Sequence, residues 1–201
     1  MPDRAFFARD GRTVAPDLLD LVLVHGARSG RIVEVEAYAG PEDPGSHGFR
    51  GETARTATMF GPPGHLYVYF TYGMHWCANV VCGPEGTCSA VLIRALAPLS
   101  GIEEMRIARG RAARRDVDLC SGPAKTCQAL GLDGSHDGVD LCGDEGPRVE
   151  DGGFGPPARV GRSTRIGLTK GADRPWRWFV AGDPNVSKGR PSGPDGGVPA
   201  G

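Results

Sequence analysis

The sequence lacks the long apolar runs that would place it in a membrane. No stretch of its 201 residues reaches the roughly 18 consecutive apolar residues of a membrane span. The opening MPDRAFFARDG also lacks the hydrophobic segment of a signal peptide. We therefore expect a cytoplasmic protein without membrane contact, and the chain length suits one domain with its own core.

Zinc-binding cysteine patterns are missing as well. The six cysteines form no CxxC pair, and their spacing matches no common zinc motif: Cys77, Cys82, Cys88, Cys120, Cys127 and Cys142. We expect reduced thiols, no metal site and no cofactor.

The basic excess that is typical of nucleic-acid-binding proteins is also absent. Lys and Arg number 23 against 24 Asp and Glu, which gives a formal net charge of −1. The charges are unevenly distributed, because residues 106–115 hold five arginines and no acid, 137–151 are mostly acidic, and 159–190 are basic. This pattern is compatible with a basic face and equally with scattered surface charge.

The pattern of apolar residues predicts both helices and strands. Residues 15–26, APDLLDLVLVHG, predict a helix with Pro16 in its first turn and Gly26 at its end. Residues 31–38, RIVEVEAY, alternate and predict a strand. One face of that strand would be packed (Val33, Val35, Ala37), and the other would present Ile32, Glu34, Glu36 and Tyr38.

The middle of the chain alternates between loop and strand signals. Residues 40–64 form a Gly- and Pro-rich loop, and loops of this length are typically functional or disordered. Residues 65–76, HLYVYFTYGMHW, predict a strand that runs into a turn at Gly73. Two returning strands follow in ANVVC and CSAVLIRAL.

Helices and a final pair of strands complete the prediction. Ser100 would cap a helix through Arg109, and Ser121, followed by Pro123, would open another that ends before Gly131. Strands are expected in GRSTRIGL and around residues 176–180. We predict a single mixed α/β (α+β) domain over residues 1–189, with a mostly antiparallel sheet flanked by helices and a disordered Gly/Pro-rich tail at 190–201.

One carboxylate and one arginine stand out within this framework. Glu36 and Tyr38 share a strand face, although such an acid is more often a surface residue of an edge strand. Arg94 lies inside the apolar strand AVLIRAL, where an unpaired charge would be costly. Arg94 therefore requires an acidic partner.

The aromatic run at residues 65–76 is denser than a core strand requires. Its polar aromatic side chains suit a pocket for a planar ring, and stacking on a nucleobase contributes roughly 1–3 kcal/mol per base. A cationic alkylated purine would gain more through cation–π attraction. The competing interpretation is ordinary packing, which explains most tyrosine stripes.

Four blocks of the sequence closely resemble the alkyladenine (3-methylpurine) DNA glycosylase family. They are RIVEVEAYAGPEDPGSHGFRG, MFGPPGHLYVYFTYGMHWCANVV, VLIRALAPLSGIEEMR and LCSGPAKTCQALG. The resemblance extends through RVGRSTRIG and WFVAGDPNVS and covers roughly residues 5–188. It implies a curved sheet with a protruding β-hairpin that enters DNA.

The resemblance also implies a role for each matching residue. Glu36 matches the general base that activates water, and Arg94 matches the arginine that helps to hold this water. Tyr38, His47 and Tyr69 match residues that sandwich a flipped base, and Asn79 matches one that discriminates against guanine. Tyr72 matches the wedge in the minor groove, and three further matches are DNA contacts: Met59, Arg106 and Lys125.

The implied function is that of a monofunctional glycosylase in base excision repair. The partner would be double-stranded DNA with a damaged purine, and the protein would be a nucleoid-associated monomer. No lysine occupies a matched catalytic position, so we expect no Schiff base and no lyase activity. Among 3-methyladenine, 7-methylguanine, hypoxanthine and etheno-adenine the sequence ranks no lesion.

Two other classes of function compete with this hypothesis. A nucleic-acid or nucleobase binding module without catalysis would use Tyr38 and Tyr69 but has no need for Glu36 beside Arg94. A metal-dependent hydrolase could use Glu36, His47, His65 and His75, and a chelator would then abolish its activity.

Overall fold

The computed structural model describes residues 1–192, which form one mixed α/β domain around a strongly curled antiparallel sheet. This architecture confirms the predicted fold class. The eight strands of the described residues are β1 (Val22–His25), β2 (Arg28–Ala39), β3 (Leu66–Thr71), β4 (His75–Cys82), β5 (Ser89–Ser100), β6 (Arg148–Glu150), β7 (Val160–Ser163) and β8 (Arg177–Val180). The helices are α1 (Arg4–Phe7), α2 (Gly11–Leu18), α3 (Ala57–Phe60), α4 (Ile102–Arg109) and α5 (Pro123–Leu130).

The two long strands β2 and β5 form the centre of the sheet. The strand order is β3-β4-β5-β2-β1-β6, and every pairing is antiparallel. The other edge of β2 is shared, because its residues 28–31 pair with β1 and its residues 34–36 pair with β8. Strand β2 therefore lies inside the sheet rather than at its edge.

Strand β2 is buried on both faces, which corrects the prediction of one packed face. Its residues from Ile32 to Ala37 are all buried. The β2–β5 register shifts between Ile32 and Val35, and such a bulge breaks the simple alternation of faces. Ile32 consequently joins Val35 in the main core, whereas Val33 packs with Ala95 on the other side.

The first predicted helix is wrong in its C-terminal half. Helix α2 ends at Leu18, with Pro16 near its end, and residues 22–25 form a strand. This strand turns at Gly26, whose φ of 58° suits a tight hairpin into β2. Periodicity alone does not separate a short apolar strand from a helical segment.

The predicted loop of residues 40–64 holds only short helical turns. These are 3-10 turns at Gly40–Glu42 and His47–Arg50, followed by α3. The aromatic strand that follows is shorter than predicted, because β3 ends at Thr71. The turn of the β3–β4 hairpin begins at Tyr72, since Thr71 pairs directly with His75.

The two later helices form as predicted, but neither predicted serine cap is used. Gly101, at a φ of 68°, precedes α4, and the Ser100 hydroxyl donates to the Ala27 carbonyl instead. Gly122 precedes α5. Helix α5 ends in the predicted glycine, Gly131, at a φ of 72°.

The C-terminal strands are shorter than predicted, since β7 covers only Val160–Ser163. The described chain continues past residue 189, because Pro191 bridges to Ile166 and the Ser192 amide donates to the Arg165 carbonyl. The remaining part of the predicted tail, 193–201, lies outside the described residues. Over residues 1–192, no helix is long and apolar enough to span a bilayer.

Candidate active site

A pocket of about 220 Å³ lies between the β3–β4 hairpin, the 40–50 loop and the segment that follows β7. The walls contain aromatic, amide and guanidinium groups, including Tyr38, His47, Met59, Tyr69, Asn79 and Arg94. Tyr38, Asn79 and Arg94 lie on β2, β4 and β5, which are adjacent or share a neighbour in the sheet. The pocket therefore combines a floor formed by the sheet with walls to which loops contribute.

Arg94 has the acidic partner that its position in an apolar strand requires. Glu36 pairs in register with Leu92 of β5, and the Arg94 Nη1 atom lies 3.2 Å from Glu36 Oε2. Glu36 has no exposed surface and Arg94 is 6% exposed. Burial alone lowers the pKa of Arg94, but the carboxylates of Glu36 and Glu34 outweigh it and raise this pKa above its ordinary value.

Two further donors fix the Glu36 carboxylate. The Tyr38 hydroxyl donates to Oε2 at 2.9 Å, and the main-chain N–H of Ile166 donates to Oε1 at 2.7 Å. Burial, reinforced by the charge of Glu36, raises the pKa of Tyr38 well above its ordinary value, so this hydroxyl keeps its proton. Glu36 lies behind the pocket wall, and its partners Tyr38, Arg94 and Ile166 line the pocket.

Glu34 is a second buried carboxylate beside Arg94, and it was not among the predicted site residues. It accepts from Arg94 Nε at 2.9 Å, from Arg177 Nε at 2.7 Å, and from the amide and hydroxyl of Ser187. Burial would raise the pKa of Glu34, but Arg94 and Arg177 lower it overall. Its position two residues before Glu36, on the same face of the predicted strand, was the signal in the sequence that could have identified it.

The aromatic residues form an ordered wall. The Tyr67 and Tyr69 rings stack with centroids 5.4 Å apart, and the His47 ring meets Tyr69 edge to face at 4.4 Å. His47 Nδ1 lies 3.2 Å from the Tyr67 hydroxyl. Burial and the nearby Arg55 lower the pKa of His47, which keeps its ring neutral near pH 7. Burial raises the pKa of Tyr67 to about 12.

The remaining predicted residues occupy different surroundings. Asn79 is buried in the pocket, where its Nδ2 donates to the Tyr67 carbonyl at 3.3 Å, and Met59 lies in the same wall, 3% exposed. Tyr72 borders the pocket at the hairpin tip and is 83% exposed. Arg106 and Lys125 lie outside the pocket lining.

Both of those outer cations already have polar contacts. Arg106 forms exposed salt bridges with Glu103 and Asp116, each at 2.6 Å. The Lys125 ammonium lies 3.2 Å from the Ser121 hydroxyl. The structure thus groups the predicted catalytic and base-binding residues with Met59 and Tyr72, and it places Arg106 and Lys125 elsewhere.

Sequence comparisons show the family of the chain. Residues 5–184 match the family model described as methylpurine-DNA glycosylase. The chain belongs to the methylpurine-DNA glycosylase family. This membership confirms the resemblance found in the sequence.

Similar members of the family occur in several bacteria. A relative from Burkholderia lata is 59% identical over 186 residues, which is 92% of this chain and 89% of the relative. A relative from Streptomyces avermitilis is 50% identical over 191 residues, with the same two shares. One from Rhodopseudomonas palustris is 50% identical over 184 residues, again 92% and 89%. All three bear the name "Putative 3-methyladenine DNA glycosylase".

The buried Arg165 is a second residue at this site that the sequence did not predict. Its guanidinium pairs with both carboxylate oxygens of Asp43 and lies 4.6 Å from the centre of the Tyr38 ring. Asp43 belongs to the loop that carries His47, and Ile166, the next residue after Arg165, holds Glu36. Residues 165 and 166 therefore support the Tyr38 ring, the loop that carries His47, and the Glu36 carboxylate.

The residues of the alternative metal site do not converge. Within residues 1–192, no group of three or more His, Cys, Asp and Glu side chains is placed to hold a metal ion. His65 Nδ1 contacts the Pro62 carbonyl, and His75 is exposed at the start of β4. Of the four residues considered for a metal-dependent hydrolase, Glu36 and His47 lie at the pocket, whereas His65 and His75 are not among the residues that line it.

Proposed function

We propose that this family member is a monofunctional DNA glycosylase that extrudes alkylated or deaminated purines from duplex DNA. It hydrolyses their N-glycosidic bond with water activated by Glu36 and so initiates base excision repair. The observation that carries the proposal is the buried Glu36 carboxylate, bound to Arg94 and Tyr38 directly behind an aromatic pocket.

The contacts of Glu36 suit a general base. A carboxylate offers about four acceptor positions, and the hydrogen bonds from Tyr38 and Ile166, together with the ion pair with Arg94, occupy three. The position that remains, on Oε1, can accept a proton from water. Arg94 pairs with the carboxylate, and the negative charge of Glu36 stabilises the oxocarbenium-like sugar of the transition state. A positioned general base typically contributes about 10²–10⁴-fold to the rate.

The pocket suits a planar base outside the helix. A base in the duplex cannot be attacked in place, and its extrusion costs a few kcal/mol. Stacking of the extruded base between Tyr38 on one side and His47 and Tyr69 on the other returns part of that free energy. Tyr72, which is exposed at the hairpin tip, would fill the gap that the extruded base leaves in the DNA stack. Asn79, on the pocket floor, is placed to exclude the exocyclic amino group of guanine.

The three remaining predicted residues are proposed to contact DNA. Arg106 and Lys125 would meet phosphates, and Met59, which is buried in the pocket wall, would meet the extruded base. The absence of lyase activity follows from the need for an amine, because no lysine is among the described residues that line the pocket. The protein is proposed to act as a monomer.

The test is incubation of pure protein with duplexes that each carry one lesion: 3-methyladenine, 7-methylguanine, hypoxanthine or etheno-adenine. Alkaline cleavage at abasic sites then reports base release. We expect release from at least one duplex, no effect of a chelator, and no strand cleavage or borohydride-trapped adduct without alkali. Binding without release from every duplex would favour the nucleobase-binding module, and inhibition by the chelator would favour the metal-dependent hydrolase.

A further inference from the structure

Arg94 is shared between two buried carboxylates rather than paired with one. Its Nε lies 2.9 Å from Glu34 Oε1, and its Nη1 lies 3.2 Å from Glu36 Oε2. Both carboxylates have no exposed surface. Since one guanidinium bridges them, the charge on Glu34 bears directly on how strongly Arg94 holds Glu36.

A second buried arginine sits on the far side of Glu34. Arg177 of β8 donates from Nε to Glu34 at 2.7 Å and from Nη1 to the Ser163 hydroxyl at 2.8 Å. Its guanidinium also lies 4.5 Å from the Phe179 ring centre. Arg177 is not among the residues that line the pocket. Arg177 is also the register partner of Glu36 across β2 and β8, so its charge acts on Glu36 across the strand pair as well as through Glu34 and Arg94.

We propose that Glu34, balanced by Arg177, is a positioning residue that fixes Arg94 and limits its hold on the Glu36 carboxylate. This inference rests on the proposed function, in which Glu36 takes a proton from water. In this cluster two carboxylates face two guanidinium groups, so that the four charges cancel. A buried cluster that cancels its charge avoids the cost of an unpaired ion.

The direction of the effect follows from the charges. Without the charge on Glu34, both arginines would act on Glu36 alone and favour its ionised form, and a carboxylate held that strongly is a weaker base. Without Arg177, the negative charge of Glu34 would instead oppose ionisation of Glu36. The two losses thus act in opposite directions.

The other groups around the two carboxylates leave this balance unchanged. Tyr38 and the Ile166 amide donate to Glu36 as neutral groups, and Ser187 does the same for Glu34. From β3 and β4, Tyr69 and Cys77 face Glu36, and burial raises the pKa of both, so each is neutral near pH 7.

One further cation lies behind this site, and it has its own counterion. Arg165 packs on the Tyr38 ring, and its charge is matched by Asp43. The charge that Glu36 experiences within the cluster is therefore set by Glu34, Arg94 and Arg177.

The experiment is the pH dependence of single-turnover base release from pH 5 to 9, on the duplex lesion that the wild type releases. The variants are Glu34→Gln, Arg177→Met and their combination. We expect Arg177→Met to move the acidic limb up by about 1 pH unit. Glu34→Gln should move it down by about 1 pH unit and lower the plateau about tenfold. The double variant should return the limb to the wild-type position.

If Glu34 and Arg177 had only a structural role, their loss would lower the rate at every pH. It would not shift the acidic limb in opposite directions for the two single variants and cancel the shift in the double variant. Thermal melts of each variant show whether it folds. If Glu34→Gln does not fold, the upward shift of Arg177→Met and its reversal in the double variant still decide the matter. Limbs that stay in place, or that move in the same direction, would overturn the inference. Wild-type protein without any base release would overturn the proposed function together with it.

Discussion

The main-chain N–H of Ile166 donates to the Glu36 carboxylate at 2.7 Å across a separation of 130 residues. This bond joins the segment after β7 to the central strand β2. The side chain of the preceding residue, Arg165, contacts both Asp43 and the Tyr38 ring. The Glu36 carboxylate, the Tyr38 ring and the loop that carries Asp43 and His47 are thus held by two consecutive residues.

The Asp43–Arg165 pair should therefore matter for stability. Asp43→Asn leaves a fully buried guanidinium without its counterion, and breaking a buried pair in this way costs about 3–5 kcal/mol. Urea denaturation should show this loss. The double variant Asp43→Leu/Arg165→Met should recover much of it, because replacing both charges leaves no unpaired ion. A loss below about 1 kcal/mol in Asp43→Asn would contradict the assigned role.

The sequence could predict part of this site because some residues carry their own signal. Arg94 in an apolar strand indicated an acidic partner, and the alternation of residues 31–38 predicted the strand that carries Glu36. Arg165 carried no comparable signal, because it lies in a basic stretch that resembles solvated surface. A main-chain donor such as the Ile166 amide has no signature in the sequence at all.

The errors in the predicted fold have similar physical causes. Residues 22–24 are apolar and would suit a buried helix and a buried strand alike, so only the pairing of β1 with β2 decides their structure. On the second face of β2, Val33 packs against Val180 and Val186, which are remote in the chain. Such long-range contacts are not encoded in local periodicity.

Tyr72 should be required for extrusion and dispensable for folding. Its side chain is 83% exposed, and its φ of 51° belongs to the tight turn at the hairpin tip. We expect Tyr72→Ala to reduce base release from duplex DNA by about tenfold, because the gap in the stack is no longer filled. Met74→Ala is the matched control, since Met74 is 67% exposed on the same turn. Equal release by Tyr72→Ala and wild type would argue against a wedge.

His47 should make the protein less stable as the pH falls. Burial holds its pKa in the folded state below the ordinary value of 6.5, so the unfolded chain binds more protons in this range. The free energy of unfolding should decrease as the pH drops from 7.5 through 6.5 to 5.5. His47→Asn should flatten this slope, whereas Tyr67→Phe, which removes only the hydrogen bond, should keep it. An unchanged slope in His47→Asn would refute a neutral His47 imidazole in the folded state.

Binding to DNA should weaken as salt increases, although the net charge of the chain is −1. Contacts with phosphates release counterions, so the affinity should fall by about tenfold or more between 50 and 200 mM salt. Fluorescence anisotropy with a labelled duplex measures it. Arg106→Ala and Lys125→Ala should each reduce the salt slope by about 1 if these residues contact phosphates. A response that is flat in the wild type would exclude a phosphate-binding face.

The central claim is that Glu36 performs chemistry rather than binding. The most direct test is single-turnover base release by Glu36→Gln, measured beside affinity for the same lesion duplex and a thermal melt. The amide keeps the shape and can still accept from Arg94 and Tyr38, but it cannot take a proton from water. We predict release slowed by about 10²–10⁴-fold with lesion affinity retained. Release at the wild-type rate by the folded variant would contradict the account.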